Sequence, residues 1–338
     1  MDTAREISGD DPAVVQPAGT TRNSTHGSKV MAFSHQMFPV ACALMPSPGP
    51  LVQATLMSHV GDQPTRPRAA ALTLRVRVGC EFVFESGAPS PSVIQVQPHP
   101  DSAHELVDEG WASEPSIPMR EYADGFRNRC QRVVLPAGRA RLRYSAEVEV
   151  GDDPDAVAPG ARQVPSDELP NEALEYLLPS RYCLPDRLGG VAIDNFSRFE
   201  PGWSQVEAIS HWVHEHIVYT LGSTDSLSDA ADVYVQRQGV CRDYAHLAIS
   251  FCRALNYPAR YACGYIPLMG RPLPEEGVDF AAWMEVYLGQ AWYTFDPRND
   301  VRLAGRVLIG RGRDAVDVAM VTSEGAPRLD SMTVWADA

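Results

Sequence analysis

The sequence lacks several features that would assign a chain at once. It has no run of about 18 apolar residues, so no helical membrane span is expected. Basic residues are scarce: 29 Lys and Arg against 43 Asp and Glu give a formal net charge of -14. That balance argues against nucleic acid or an anionic membrane surface as main partner, since both call for a basic patch. Arg311-Gly312-Arg313 is too short to supply one. No glycine-rich phosphate loop is present, and no cofactor is expected. None of the seven cysteines (42, 80, 130, 183, 241, 252 and 263) forms a C-x-x-C pair. Their odd number and wide spacing read as free thiols in a reducing cytoplasm rather than a disulfide framework. His211 and His214 stand at i, i+3 with His216 beyond, but no cysteine or carboxylate set at zinc spacing accompanies them. They read as the solvated face of an amphipathic helix, and no metal is expected. Residues 1–30 lack the basic start and apolar core of a secretory signal, and the apolar patch Met37–Met45 is short and holds a proline.

What is present divides into blocks. Hydrophobic residues make up 44% of the chain, enough to bury a core. Residues 1–69 are rich in Gly, Pro, Ser and Thr and read as a disordered or mis-called N-terminal extension, with Met57 an alternative start. From Leu72, apolar Leu74, Val76 and Val78 alternate with Thr73, Arg75 and Arg77, the pattern of a half-buried strand. Phe82 and Phe84 continue it, Val93–Val96 and Val133–Leu135 are further short strands, and Leu142–Val150 alternates again. Residues 70–150 are therefore expected to form a small antiparallel β domain with a long loop over 98–128. Residues 151–168 are acidic and rich in Pro and Gly, as a linker is. Residues 169–338 read as a second domain. Helices are expected over Glu172–Leu178, from Trp203 to about Tyr219, and from an N-cap at Ser228. Strands follow at Ala259–Tyr265, Trp283–Tyr287 and Trp292–Phe295, the last two joined as a hairpin at Gly289-Gln290. Val307–Ile309, Val316–Val321 and Met332–Trp335 are further strand candidates. Helices first and an antiparallel sheet after give an α+β class.

One helix organises the second domain. Leu247, Phe251 and Leu255 recur at i, i+4 and i+8 after Gly239-Val240-Cys241, and the pattern stops before Pro258. Cys241 falls at the first turn, where unpaired backbone N–H groups and the helix dipole favour a thiolate. A thiolate held there is a nucleophile. Cys252, three turns on, and Cys263 read as core. His246 lies five residues after Cys241, about 140° round the helix, and reads as structural.

Four segments in order carry a resemblance: Gly239–His246, Pro258–Tyr265, Asp279–Tyr287 and Trp292–Asn299. They resemble the successive motifs of the bacterial transglutaminase-like superfamily, and the 72–150 region is similar to the β domain that often precedes it. The resemblance implies a papain-like core, a helix-borne cysteine packed on an antiparallel sheet, and a Cys-His-Asp triad. Carried across, it puts the nucleophile at Cys241, with its backbone N–H as one oxyanion donor, and the orienting acid at Asp296. The base is expected where this chain has Phe280-Ala281-Ala282-Trp283, so Ala281 occupies the histidine position. If Gly289 and Gln290 form the turn, Trp283 lies opposite Asp296 and residue 281 is its diagonal neighbour, within reach of an imidazole–carboxylate bond. Without that imidazole, Asp296 is left to cap a turn or pair with Arg298.

The implied chemistry is acyl transfer through a Cys241 thioester on a peptide, protein or small amide, as a peptidase, amidase or amide-forming enzyme. Alanine at 281 removes the group that takes the thiol proton. Two alternatives stand beside that reading: a catalytically inactive binding module, and a laboratory His-to-Ala variant of an active enzyme.

Overall fold

The computed structural model describes residues 73–102, 104–269 and 277–338. The proposed extension over 1–69, with Met57 and Met37–Met45, lies outside them.

The alternating strand read from Leu74 is β1 (Thr73–Ser86). β2 (Ser90–Ile94), β3 (His104–Glu114), β4 (Arg120–Ala123), β5 (Arg129–Leu135) and β6 (Gly138–Gly151) complete the first block. The expected loop over 98–128 thus contains two strands. β3 alternates between exposed and half-buried residues, so its side chains carry no apolar period to reveal it.

Then come α1 (Asn171–Leu174), followed by a 3₁₀ turn, α2 (Pro185–Phe196) and α3 (Trp203–His216). α2 was not anticipated, although Pro185 sits at its N1 or N2 position and Leu188, Ala192 and Phe196 form a buried i, i+4, i+8 stripe. A short parallel pair, β7 (Val218–Tyr219) and β8 (Gln238–Gly239), flanks α4 (Ala230–Gln236). The N-cap of α4 is Asp229, not Ser228. Asp229 Oδ1 accepts from the Ala231 and Asp232 amides, while Ser228 bonds Asp225.

α5 (Cys241–Ala254) is buried from Cys241 through Arg253. It packs on β9 (Ala259–Tyr265) and β10 (Ala281–Leu288), with α2, α3 and α4 around it. β11 (Ala291–Phe295) and β12 (Val307–Gly312) complete that sheet in the order β11-β10-β9-β12. Gly264 on β9 lets the sheet close tightly. A Cβ there would lie 2.2 Å from the Val307 carbonyl oxygen and 2.9 Å from the Trp283 ring.

The last two strands do not extend the core sheet. β13 (Val321–Ser323) pairs with β2, and β14 (Arg328–Asp337) pairs with β1. The expected strand over 316–321 is mostly turn, whereas 332–335 lies within β14. Both ends of the described chain therefore build the β region, as sheets β14-β1-β6-β3 and β13-β2-β5-β4. Gly79 admits this closure, because a Cβ there would sit 2.4 Å from the Trp335 ring and 2.3 Å from the Tyr144 carbonyl oxygen. Residues 151–168 run as a strap against the core. Asp155 accepts from the Leu303 amide at 3.0 Å, and the Gly289 amide donates to the Arg162 carbonyl at 2.9 Å. Among the described residues no helix is long and apolar enough to cross a membrane.

Candidate active site

Cys241 is the first residue of α5, after an extended N-cap at Val240. The start of that helix is held by Asp243. Its Oδ2 accepts from the Val240 amide at 2.8 Å and from the Thr224 hydroxyl at 2.5 Å. Its Oδ1 takes Arg242 Nε at 3.1 Å and Nη2 at 2.9 Å, in a pair whose side chains are 1% and 0% exposed. Buried charges of this kind persist only when paired and hydrogen-bonded. The thiol itself is wholly buried, and its Sγ donates a long contact, 3.9 Å, to the Phe280 carbonyl oxygen. That contact sets the head of β10 against the head of α5, so residue 281 follows directly after the group that Cys241 touches.

The hairpin turns as its sequence directs. Gly289 and Gln290 adopt φ of 54° and 86°, both in the left-handed region of a type I′ turn. The register runs from Leu288↔Ala291 to Met284↔Phe295. Asp296 is the first residue past that ladder. Ala281 thus follows the Phe280 carbonyl that Cys241 contacts, and Asp296 follows the last paired residue of the hairpin.

Position 281 supplies no imidazole. Ala281 is buried on β10. The carboxylate it would have served is fully engaged: Asp296 Oδ1 accepts from the Arg298 and Asn299 amides at 3.2 and 3.0 Å. Oδ2 accepts from Asn299 Nδ2 at 2.8 Å and Arg306 Nη2 at 2.9 Å. Asp296 thus caps the turn as expected, but its ion-pair partner is Arg306 rather than Arg298. The Arg298 guanidinium stacks instead over the Tyr219 ring, 4.1 Å from its centre. Arg306 also grips Asp155 of the strap and lies 4.8 Å over the Trp283 ring. Sequence reading missed this arginine because its partners lie 151 and 10 residues away, beyond any local spacing. The Arg242–Asp243 pair was also missed, although an acidic N3 residue three places after the cap is a legible signal.

His246 is structural. Its Nε2 accepts from the Ala315 amide at 3.1 Å, and its ring stacks 5.0 Å from that of Tyr182. Burial, reinforced by Arg242, pushes its pKa down to about 3, so it stays neutral at ordinary pH. Tyr261 lies among the groups near Cys241, and burial, then Cys263 and Cys241, hold its hydroxyl protonated. His211 pairs with Asp300 at 2.7 Å, and its pKa is raised by that bond. His216 stacks on Trp212 at 4.0 Å rather than facing solvent. Among the described residues no group of three His, Cys, Asp or Glu side chains could hold a metal ion. Cys80, Cys130, Cys183, Cys241, Cys252 and Cys263 are buried, and none of these six is in a disulfide.

A cysteine-headed helix buried against an antiparallel hairpin sheet that bears an aspartate defines the class: a papain-like α+β core. Residues 197–297 match the family model of the transglutaminase-like superfamily. A solved structure of a candidate cysteine protease from Cytophaga hutchinsonii is 30% identical, with a TM-score of 0.71, covering 79% of this chain and 91% of that one. An uncharacterized protein of Mycobacterium leprae is 26% identical over 274 residues, 76% of this chain and 96% of the relative. An uncharacterized Mycobacterium tuberculosis protein is 35% identical over 115 residues, 31% of this chain and 37% of the relative. The chain belongs to the transglutaminase-like superfamily.

Proposed function

We propose that this protein is a non-catalytic member of its superfamily, a binding module for peptide or protein partners that keeps the acyl-transfer architecture without its base. The observation that carries this reading is the state of Asp296. Its carboxylate is committed to Arg306 and Asn299, and the adjoining base position is Ala281. Thioester chemistry needs a group that removes the thiol proton and later protonates the leaving amine. Ala281 does neither, and loss of a triad member costs on the order of 10³-fold or more in rate. Complete burial of Cys241 agrees with a thiol that does not turn over. Among the described residues, six buried cysteines outside any disulfide fit a reducing, cytoplasmic setting.

A second reading, acyl transfer at Cys241, draws on one observation: the cysteine still heads a helix, with its N–H groups and dipole behind it. Turnover separates the two. Purified protein and Cys241→Ala are incubated with glutamine-containing and alanine-rich peptides plus hydroxylamine, which traps any thioester as a hydroxamate. Equal, background hydroxamate from both proteins is expected. Hydroxamate from the parent protein that disappears in Cys241→Ala overturns the binding reading and restores the enzyme.

A further inference from the structure

The Trp283 side of the hairpin holds a cavity of about 430 Å³ between the end of β6 and the strap on one side and β10, β11 and β12 on the other. Its size falls in the range of roughly 300–1,000 Å³ usual for small-molecule sites. Val150, Trp283, Trp292, Leu303 and Leu308 supply apolar wall.

The charges of the lining are already balanced. Asp155 is paired with Arg306 at 3.0 Å, and Glu285 with Arg260 at 2.6 Å and Arg311 at 2.7 Å. Asp153, exposed at the rim, adds negative charge. No surplus cation calls for an anionic ligand. What is left over is donor capacity. Among the described residues, Trp283 Nε1 and Arg306 Nη1 find no acceptor, although both side chains line the cavity and are 2% and 8% exposed. A buried N–H without an acceptor costs stability, and an entering oxygen atom relieves that cost.

We propose that this cavity binds an uncharged peptide amide. Its carbonyl oxygen accepts from Trp283 Nε1 and Arg306 Nη1, and its neighbouring apolar side chain lies against Trp292 and Leu308. The inference rests on the binding reading above and gives it a ligand class and a place. Neutral acceptors are favoured over carboxylates because each guanidinium already faces a carboxylate, so a further negative charge meets repulsion from Asp153, Asp155 and Glu285.

Isothermal titration of the full chain with N-acetylalanyl-leucinamide and with the corresponding free acid tests this. The amide is expected to bind with a millimolar or tighter Kd, and the free acid more weakly. Trp283→Phe, which keeps an aromatic wall and deletes one donor, is expected to weaken amide binding by about 3- to 10-fold, the ratio for one neutral hydrogen bond. If Trp283→Phe fails to fold, Trp292→Phe at the half-buried wall carries the test through lost apolar contact. Equal or tighter binding of the free acid, or affinity unmoved by the substitution, overturns the proposal. So does the absence of heat with millimolar amide. That last result leaves the reading of Ala281 and Cys241 standing, because hydroxamate formation tests it separately.

Discussion

Arg306 Nη2 donates to Asp296 Oδ2 across 2.9 Å, where the superfamily pattern calls for an imidazole partner. The same guanidinium takes both oxygens of Asp155 at 3.0–3.1 Å. One side chain therefore ties the strap to the end of the hairpin, with the arginine 8% exposed and the acids 11% and 1%. Removing one partner of a buried pair costs about 3–5 kcal/mol, because the remaining charge is stranded. Arg306→Gln strands two carboxylates, so a loss of at least about 3 kcal/mol in urea unfolding is expected. Arg306→Lys should fall between, since a lysine keeps the charge but not the planar fork that spans both acids. A change below about 1 kcal/mol for Arg306→Gln contradicts the assigned role.

Asp243 offers a second case, one residue from Arg242. Both side chains are almost fully buried, and Asp243 also accepts from Val240 N and Thr224 Oγ1. Asp243→Asn is expected to destabilise by about 3–5 kcal/mol. By contrast, Glu149→Gln breaks a pair with Arg75 whose side chains are 32% and 58% exposed. That change should leave the denaturation midpoint close to the parent's. Denaturation midpoints of the two variants, measured together, check the ordering.

The period-two and period-3.6 patterns made β1, β6, α3 and α5 legible, because each turns one apolar face to the core. The Gly289-Gln290 turn was also readable, and with it the hairpin register from Leu288 opposite Ala291 to Met284 opposite Phe295. β3 escaped because its side chains are mostly exposed and carry no apolar signal. The pairing of β14 with β1 escaped for another reason: alternation marks a strand but says nothing about which strand it joins. Arg306 belongs with that second kind of miss, since its meaning lies in partners that only the fold brings near.

The burial of His246 has a consequence for acid stability. Its folded pKa is lowered to about 3, from an ordinary value near 6.5. Below pH 6.5 the unfolded chain binds a proton that the folded chain refuses. Stability from this group is therefore complete above pH 6.5 and is lost as pH falls from 6.5 toward 3. The slope it contributes approaches about 1.4 kcal/mol per pH unit within that window. His246→Gln keeps an acceptor for the Ala315 amide but cannot titrate. The variant should be less stable at pH 7.5 yet show a flatter loss between pH 6 and 4 in urea titrations. An unchanged slope means that other groups carry the acid sensitivity.

Ala281 stands where the superfamily pattern has its histidine. Restoring histidine there returns an imidazole beside the head of α5, yet Asp296 stays with Arg306, so the ring lacks its orienting acid. Misorientation of the base is costly: losing the carboxylate's role in a comparable triad lowers kcat by about 10⁴-fold. Ala281→His alone is therefore expected to give little hydroxamate above the Cys241→Ala background. Ala281→His combined with Arg306→Gln frees the carboxylate and should exceed the single variant by at least about tenfold. Its lower stability calls for measurement at a temperature where circular dichroism shows both variants folded. The gain must vanish when Cys241→Ala is added, which ties it to the thiol. High activity from Ala281→His alone would mean that Arg306 yields Asp296 without resistance. Equal inactivity of both folded variants would place the loss of chemistry in the burial of Cys241 rather than in the missing base.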